Sequence, residues 1–331
     1  MIEESITILK GLQYPSGLFA ASKKEVSTGY NKAWLRDCIY EILGLEVTNN
    51  INEVKKAVWA LFDVFLKHEY KIDYAIQKKP EHKHQYIHAR YDPITFEEFS
   101  EDWGNKQNDA IGAFLFKVGN LEQKGIKVIM NEVHKRILQK LVHYLSSIEY
   151  WQDKDNGMWE ENEEVHSSSV GACVAGLKNI SDLVVVHPDL IKKGEDVLNE
   201  LLPKESKTKD VDLALLSLIY PYNIVSDSQA KQILKNIEEK LVKDKGVCRY
   251  IGDYYYNNGG DAQWTMGLPW LAIVYKQLGN MIKYEYYMKK SLEVMNDKNE
   301  LPELYYANSL KHNENTPLGW AQSMYLVAAV K

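Results

Sequence analysis

Apolar residues recur at helical spacing along most of the chain, in two distinct ways. Val54, Val58, Leu61 and Phe65 fall at intervals of three and four, as do Ile126, Ile129, Val133, Ile137 and Leu141. Such stripes lay one face of a helix on a core and leave Lys and Glu on the other. Stretches of the same kind begin near Ile191, Ile233 and Tyr284, and a short one covers 2–12. Between them lie segments that are apolar on nearly every side and rich in small residues, at 37–45, 110–118, 170–177, 211–219, 263–275 and 320–330. These predict helices buried on most faces.

The two kinds alternate, six of each. Twelve helices in 331 residues leave about 27 residues for a helix and its connection, which fits ordinary lengths. The regular solution is an all-α (α/α)6 barrel, with an inner ring of six helices wrapped by an outer ring of six. An open helical solenoid is the alternative, because alternation does not itself close a ring. No Pro/Gly/Ser-rich linker divides the chain, so residues 1–331 are expected to form one domain.

Composition narrows the function classes. The chain carries 40 Lys and Arg against 46 Asp and Glu, a formal charge of −6, with no basic cluster. That is a poor partner for nucleic acid, whose binding is driven by phosphate neutralisation. No apolar run reaches the ~18 residues of a membrane span, and the start Met1-Ile2-Glu3-Glu4 lacks a signal-peptide pattern, so a cytoplasmic protein is expected. Cys38, Cys173 and Cys248 are far apart and in apolar surroundings, as reduced core thiols would be. His82, His84 and His88 with Glu81 sit in a polar stretch without the periodicity that would set metal-ligand spacing, so no metal or other cofactor is expected. Neither a G-x-S-x-G elbow nor a phosphate-cradling Gly-rich loop is present.

The aromatic load is the anomaly. Eight Trp and 22 Tyr against seven Phe mean that most rings carry a polar edge. Several cluster with charges just ahead of the inner helices: Thr28-Gly29-Tyr30-Asn31-Lys32-Ala33-Trp34-Leu35-Arg36-Asp37, then Glu101-Asp102-Trp103-Gly104-Asn105-Lys106-Gln107-Asn108-Asp109, then Gly157-Met158-Trp159-Glu160-Glu161 with the acidic run to Glu164. Arg249-Tyr250-Ile251-Gly252-Asp253 and Leu301-Pro302-Glu303-Leu304-Tyr305 follow. In a closed ring these segments meet at one mouth. Flat rings beside paired donors and acceptors suit a sugar, whose C–H faces lie on aromatics and whose hydroxyls need partners such as Arg36 and Asp37. Cleaving a glycosidic bond needs one protonated carboxyl and a second carboxylate across the ring. Glu160 or Glu161, with Glu303, are the candidates. Read singly, the same residues also fit a solvated acidic loop, a buried Arg36–Asp37 ion pair and a turn at Glu303.

With these segments in hand, the chain resembles glycoside hydrolase family 15, the glucoamylase-like group that also includes a domain of the phosphorylase kinase α and β regulatory subunits. The resemblance covers nearly the whole chain and rests on Trp34-Leu35-Arg36-Asp37, Trp103-Gly104 with Gln107 and Asp109, Trp159-Glu160, Arg249-Tyr250 with Asp253, and Leu301 to Tyr305 with Gly319-Trp320-Ala321-Gln322. It implies an (α/α)6 barrel and an inverting, exo-acting hydrolase of α-glucosides. Glu160 matches the general acid and Glu303 the general base. Arg36, Asp37 and Arg249 match residues that bind the terminal sugar, Glu161 a carboxylate near the leaving group, and Tyr30, Trp34 and Trp103 an aromatic wall. Asp253 and Trp264 are further candidates for substrate binding. Glu160 would have to hold a proton near neutrality through burial against Trp159 or Trp103, while Glu303 stays ionised. Within residues 1–331 no segment resembles the β-sandwich or starch-binding domain of many members, so a short α-linked oligosaccharide or glucoside is the expected substrate. The stretches 202–216 and 301–322 are closer to the phosphorylase kinase subunits, so a carbohydrate-sensing regulatory module is the alternative, and trehalase the alternative among enzymes.

Overall fold

The computed structural model describes residues 1–101 and 103–330; Asp102 of the second aromatic segment and Lys331 lie outside the described residues. The outer helices are α1 (Ile2–Leu12), α3 (Ile51–Lys67), α6 (Glu132–Ile148), α8 (Pro188–Leu201), α10 (Asp227–Lys240) and α12 (Met281–Glu293). The inner ones are α2 (Leu35–Val47), α5 (Asn108–Gln123), α7 (Ser167–Ile180), α9 (Leu216–Ile219), α11 (Gly267–Gln277) and α13 (Gly319–Val330), and α4 (Glu69–Gln77) is an extra helix in the α3–α5 connection. The ring closes where α13 packs against α2. The Ser323 hydroxyl accepts from Gly44 N–H (2.8 Å) and donates to the Tyr40 carbonyl (2.6 Å) across that seam. The protein is therefore an all-α (α/α)6 barrel rather than an open solenoid.

The two periodicities translate into two burial patterns. Every residue of α2 from Leu35 to Leu45 is buried, whereas α3 buries Val54, Ala57, Val58, Leu61, Phe62 and Phe65 and leaves Lys56 and Asp63 wet. Inner helices approach so closely that glycine is required. A β-carbon on Gly112 of α5 would lie 2.4 Å from the Ala172 backbone of α7. Among the described residues, no helix is long and apolar enough to cross a membrane.

Three expectations shift. Ile126 and Ile129 precede α6, which starts only after Asn131, whose side chain accepts from His134 N–H (3.0 Å); they fill gaps from a connecting loop and so mimic helical spacing. The fourth inner helix is short. A 3-10 turn over Leu213–Leu215, capped by Asp212, runs into α9, and Pro221 follows directly on its last turn. Gln263 and Trp264, expected in a helix, form β3 instead.

Two-residue strands brace the mouth. Strand β1 (Ala33–Trp34) pairs antiparallel with β2 (Arg90–Tyr91), and β3 (Gln263–Trp264) with β4 (Leu304–Tyr305). The second pair sets Trp264 opposite Leu304, and Thr265 N–H donates to the Glu303 carbonyl (3.2 Å). Glu303 is thereby fastened to the segment before α11, some forty residues upstream.

Candidate active site

The segments before the inner helices do meet. Tyr30, Trp34, Arg36, Asp37, Trp159, Glu160, Arg249 and Trp264 line one cavity, together with Met158, Met266, Leu318 and Trp320. It opens into a vestibule walled by Trp103, Glu161, Lys209, Tyr250, Tyr254 and Tyr255. Trp159 lies between Trp264 and Trp320, at centroid distances of 6.0 and 6.1 Å. The indole N–H groups of Trp264 and Trp320 are buried without a partner among the described residues. Buried donors left unpaired are costly, and a hydroxyl-bearing ligand would satisfy them.

Two guanidiniums stand at this cavity, each fixed from behind. Arg36 donates to Gln107 Oε1 (2.8 Å) and Asp109 Oδ2 (3.0 Å), while Asp37 is 4.0 Å away. The pairing expected between Arg36 and Asp37 is thus mainly an Arg36–Asp109 pair. That leaves the Asp37 carboxyl open to the cavity, its pKa pushed up to about 6 by burial, with Arg36 opposing. Arg249 grips Asp253 with a two-pronged contact (2.6 and 2.6 Å). Asp253 also accepts from Tyr255 N–H (2.9 Å) and is 1% exposed, so it holds Arg249 in place.

Glu160 sits at the tip of a hairpin, with about a quarter of its side chain exposed to the cavity and Arg36 3.8 Å away. Burial raises its pKa from 4.5 to about 7; Arg36 opposes this rise and Asp37 adds to it. Glu161 next to it is tied down on both oxygens. Oε1 accepts from Tyr250 and Arg249 (3.3 Å to the latter), and Oε2 from Lys209 (2.9 Å).

Glu303 is fully buried next to Tyr30. Asn313 and Asn315 both donate to its Oε2, the latter at 2.8 Å, while Oε1 has no hydrogen-bond partner among the described residues. Asn315 is held in turn by the Thr28 hydroxyl (2.5 Å). Burial holds the Glu303 pKa above the ordinary carboxylate value, and the neighbouring Tyr30, Asn315 and Asn313 offset this only in part. The Tyr255 hydroxyl donates to that of Tyr30 (3.0 Å). The Tyr30 phenol also feels the charge of Glu160.

Several contributors escaped the sequence reading. Lys209, Tyr255 and the Asn313/Asn315 pair are single polar residues in loops, with only their neighbours' aromatics as a signal. Asp212 accepts from the Trp159 indole (2.7 Å) and fixes that ring. The histidines separate: His82 and His84 are exposed, while His88 is buried, stacks on Trp103 (5.7 Å) and has its pKa lowered to about 3 by burial and nearby Lys71.

The model for "Glycosyl hydrolases family 15" matches residues 1–329. The chain belongs to glycoside hydrolase family 15. Among family relatives, the liver isoform of phosphorylase b kinase regulatory subunit alpha from Takifugu rubripes is 29% identical over 76% of this chain. The chain spans about a quarter of the length of that relative, whose covered share is 23%. Among solved structures, a glycosidase in complex with glucose superposes with a TM-score of 0.86 at 20% identity, covering 99% of this chain and 95% of that one. The glucoamylase of Saccharomycopsis fibuligera gives 0.69 at 15% identity, covering 98% and 92%. At such identities the family members share the fold.

Proposed function

We propose that this chain is an inverting, exo-acting glycoside hydrolase that releases glucose from short α-glucosides. One observation carries the reading: a proton-holding Glu160 stands at a cavity floored by Trp and lined by Arg36, Asp37 and Arg249, and Glu303, with one unpartnered oxygen, is buried next to Tyr30, which lines the same cavity. Arg36, Asp37 and Arg249 bind the hydroxyls of the terminal sugar, and Tyr30, Trp34 and Trp264 supply its walls. Trp103 and Glu161 face the leaving group from the vestibule.

In this mechanism Glu160 transfers its proton to the glycosidic oxygen as the bond to C1 breaks. Glu303 Oε1 takes a proton from a water that attacks C1 from the opposite face, so the α-linked sugar leaves as β-glucose. The two carboxyls end with their protonation states exchanged, and solvent restores them. Glu160 suits the acid role because burial keeps it protonated near neutrality. Glu303 suits the base role because Asn313 and Asn315 occupy one oxygen, favour the anion and leave the other for water.

A second reading is a carbohydrate-sensing regulatory module, favoured by the relatives named as phosphorylase b kinase regulatory subunits. Glucose release from a panel of α-linked disaccharides, with maltose, isomaltose and trehalose among them, separates the two. Turnover of one member supports the hydrolase and names its linkage. Saturable sugar binding with no product from any member supports the sensor.

A further inference from the structure

The hairpin that carries Glu160 and Glu161 is closed by Asp155 and Glu164, each backbone N–H donating to the other's carbonyl (2.9 and 3.0 Å). Between them the chain turns through Gly157 (φ +63°) and Glu160 (φ +66°). The left-handed conformation suits glycine; a residue with a long side chain keeps it only where its surroundings impose it.

Those surroundings centre on Asn156. Its backbone N–H donates to the Lys106 carbonyl (2.8 Å), and its own carbonyl accepts from Glu161 N–H (2.8 Å). Its side-chain Oδ1 accepts from Lys106 N–H (3.3 Å), and Nδ2 donates to the Glu161 carbonyl (2.6 Å). Four hydrogen bonds from one buried residue thus tie the acidic turn to the segment that carries Trp103. Gly104 completes the joint. A β-carbon there would lie 2.6 Å from the Glu160 carbonyl oxygen, so the Glu160 peptide rests directly on backbone one residue from Trp103. Asn156 does not line the cavity itself.

We propose that Asn156 is the positioning residue for Glu160: it holds the Glu160 peptide left-handed against Gly104 and so fixes the carboxyl relative to Arg36 and the Trp103 wall. Asparagine fits because it offers a donor and an acceptor at short reach. Alanine removes both. The catalytic part of the role rests on Glu160 being the proton donor.

The test uses Asn156→Ala and Gly104→Ala in the full chain, labelled with 13C at the glutamate carboxyls. The resonance missing from Glu160→Gln assigns Glu160, whose wild-type titration is expected near pH 7. Loosening the turn lets water reach the carboxyl, so its midpoint falls by about a pH unit or more in both variants. With an α-glucoside that the wild type hydrolyses, kcat falls about 10²-fold while KM changes little. An unchanged Glu160 titration and kcat, with only stability lowered, would overturn the proposal. Should Asn156→Ala fail to fold, Asn156→Ser, whose shorter side chain cannot reach both the Lys106 N–H and the Glu161 carbonyl, takes its place with the same two readouts, while Gly104→Ala tests the backbone contact. A wild type that hydrolyses nothing defeats the hydrolase reading alone; the titration still judges the role of Asn156.

Discussion

Replacing Glu160 with Gln is expected to cost turnover and to gain stability, and the gain follows from the burial that fits the residue for acid catalysis. Burial holds its pKa at about 7 against 4.5 in an open chain. At pH 7 about half of the folded molecules then carry the proton, against roughly one in 300 at the ordinary value. Between these two values the folded state binds more protons than the unfolded one, so wild-type stability falls as pH rises from about 4.5 to about 7. The interval is about 2.5 pH units, or roughly 3 kcal/mol at 1.36 kcal/mol per unit, an upper figure because a quarter of the side chain reaches water. Gln does not titrate. The variant should match the wild type in urea midpoint near pH 4 and exceed it increasingly up to pH 8, while kcat drops by about 10² to 10⁴. Parallel urea titrations at pH 4, 6 and 8 measure the first, and initial rates of glucose release the second. A stability difference that stays constant with pH would refute the buried-acid reasoning whatever the activity.

Other substitutions probe the frame around this carboxyl. Asn315→Ala removes a donor from Glu303 Oε2; since a hydrogen bond to a charged group is worth about 1.5–3 kcal/mol, the Glu303 pKa rises and the acid limb of the kcat/KM profile moves up by about one to two pH units. Arg36→Ala leaves Asp109 buried without its main cation, which should cost about 3–5 kcal/mol in denaturant unfolding and abolish glucose binding by calorimetry. Gly112→Ala forces α5 from α7 and should cost about 1–3 kcal/mol or more in thermal unfolding, with the pH profile unmoved.

The barrel was legible because its two helix classes differ in the one property that periodicity reports, how much of each circumference is apolar. Two-residue strands such as β1 and β4 are too short for alternation to show, and α9 is short because a 3-10 turn capped by Asp212 precedes it and Pro221 follows it. At the site, aromatic-plus-charge segments pointed to Tyr30, Trp34, Arg36, Asp37, Trp103, Glu160, Arg249 and Glu303. Partnerships were harder to see. Asp37 looked like the mate of Arg36 by adjacency, but neighbouring side chains on a helix diverge, and the contact goes to Asp109 on another inner helix. Asp253 was named for substrate binding, and the three hydrogen bonds its carboxylate makes to Arg249 and within its own loop were not visible in the sequence. Asn156 gave no sign, because it works through backbone contacts that exist only once two loops have met.

The most direct test of the central claim is the anomeric form of the first glucose released, followed by proton NMR before mutarotation, from whichever α-linked disaccharide the protein turns over. Water activated by Glu303 on the face opposite Glu160 predicts β-glucose as the first product. α-Glucose would contradict the assignment of these two carboxyls, and sugar binding without any release would contradict hydrolysis itself.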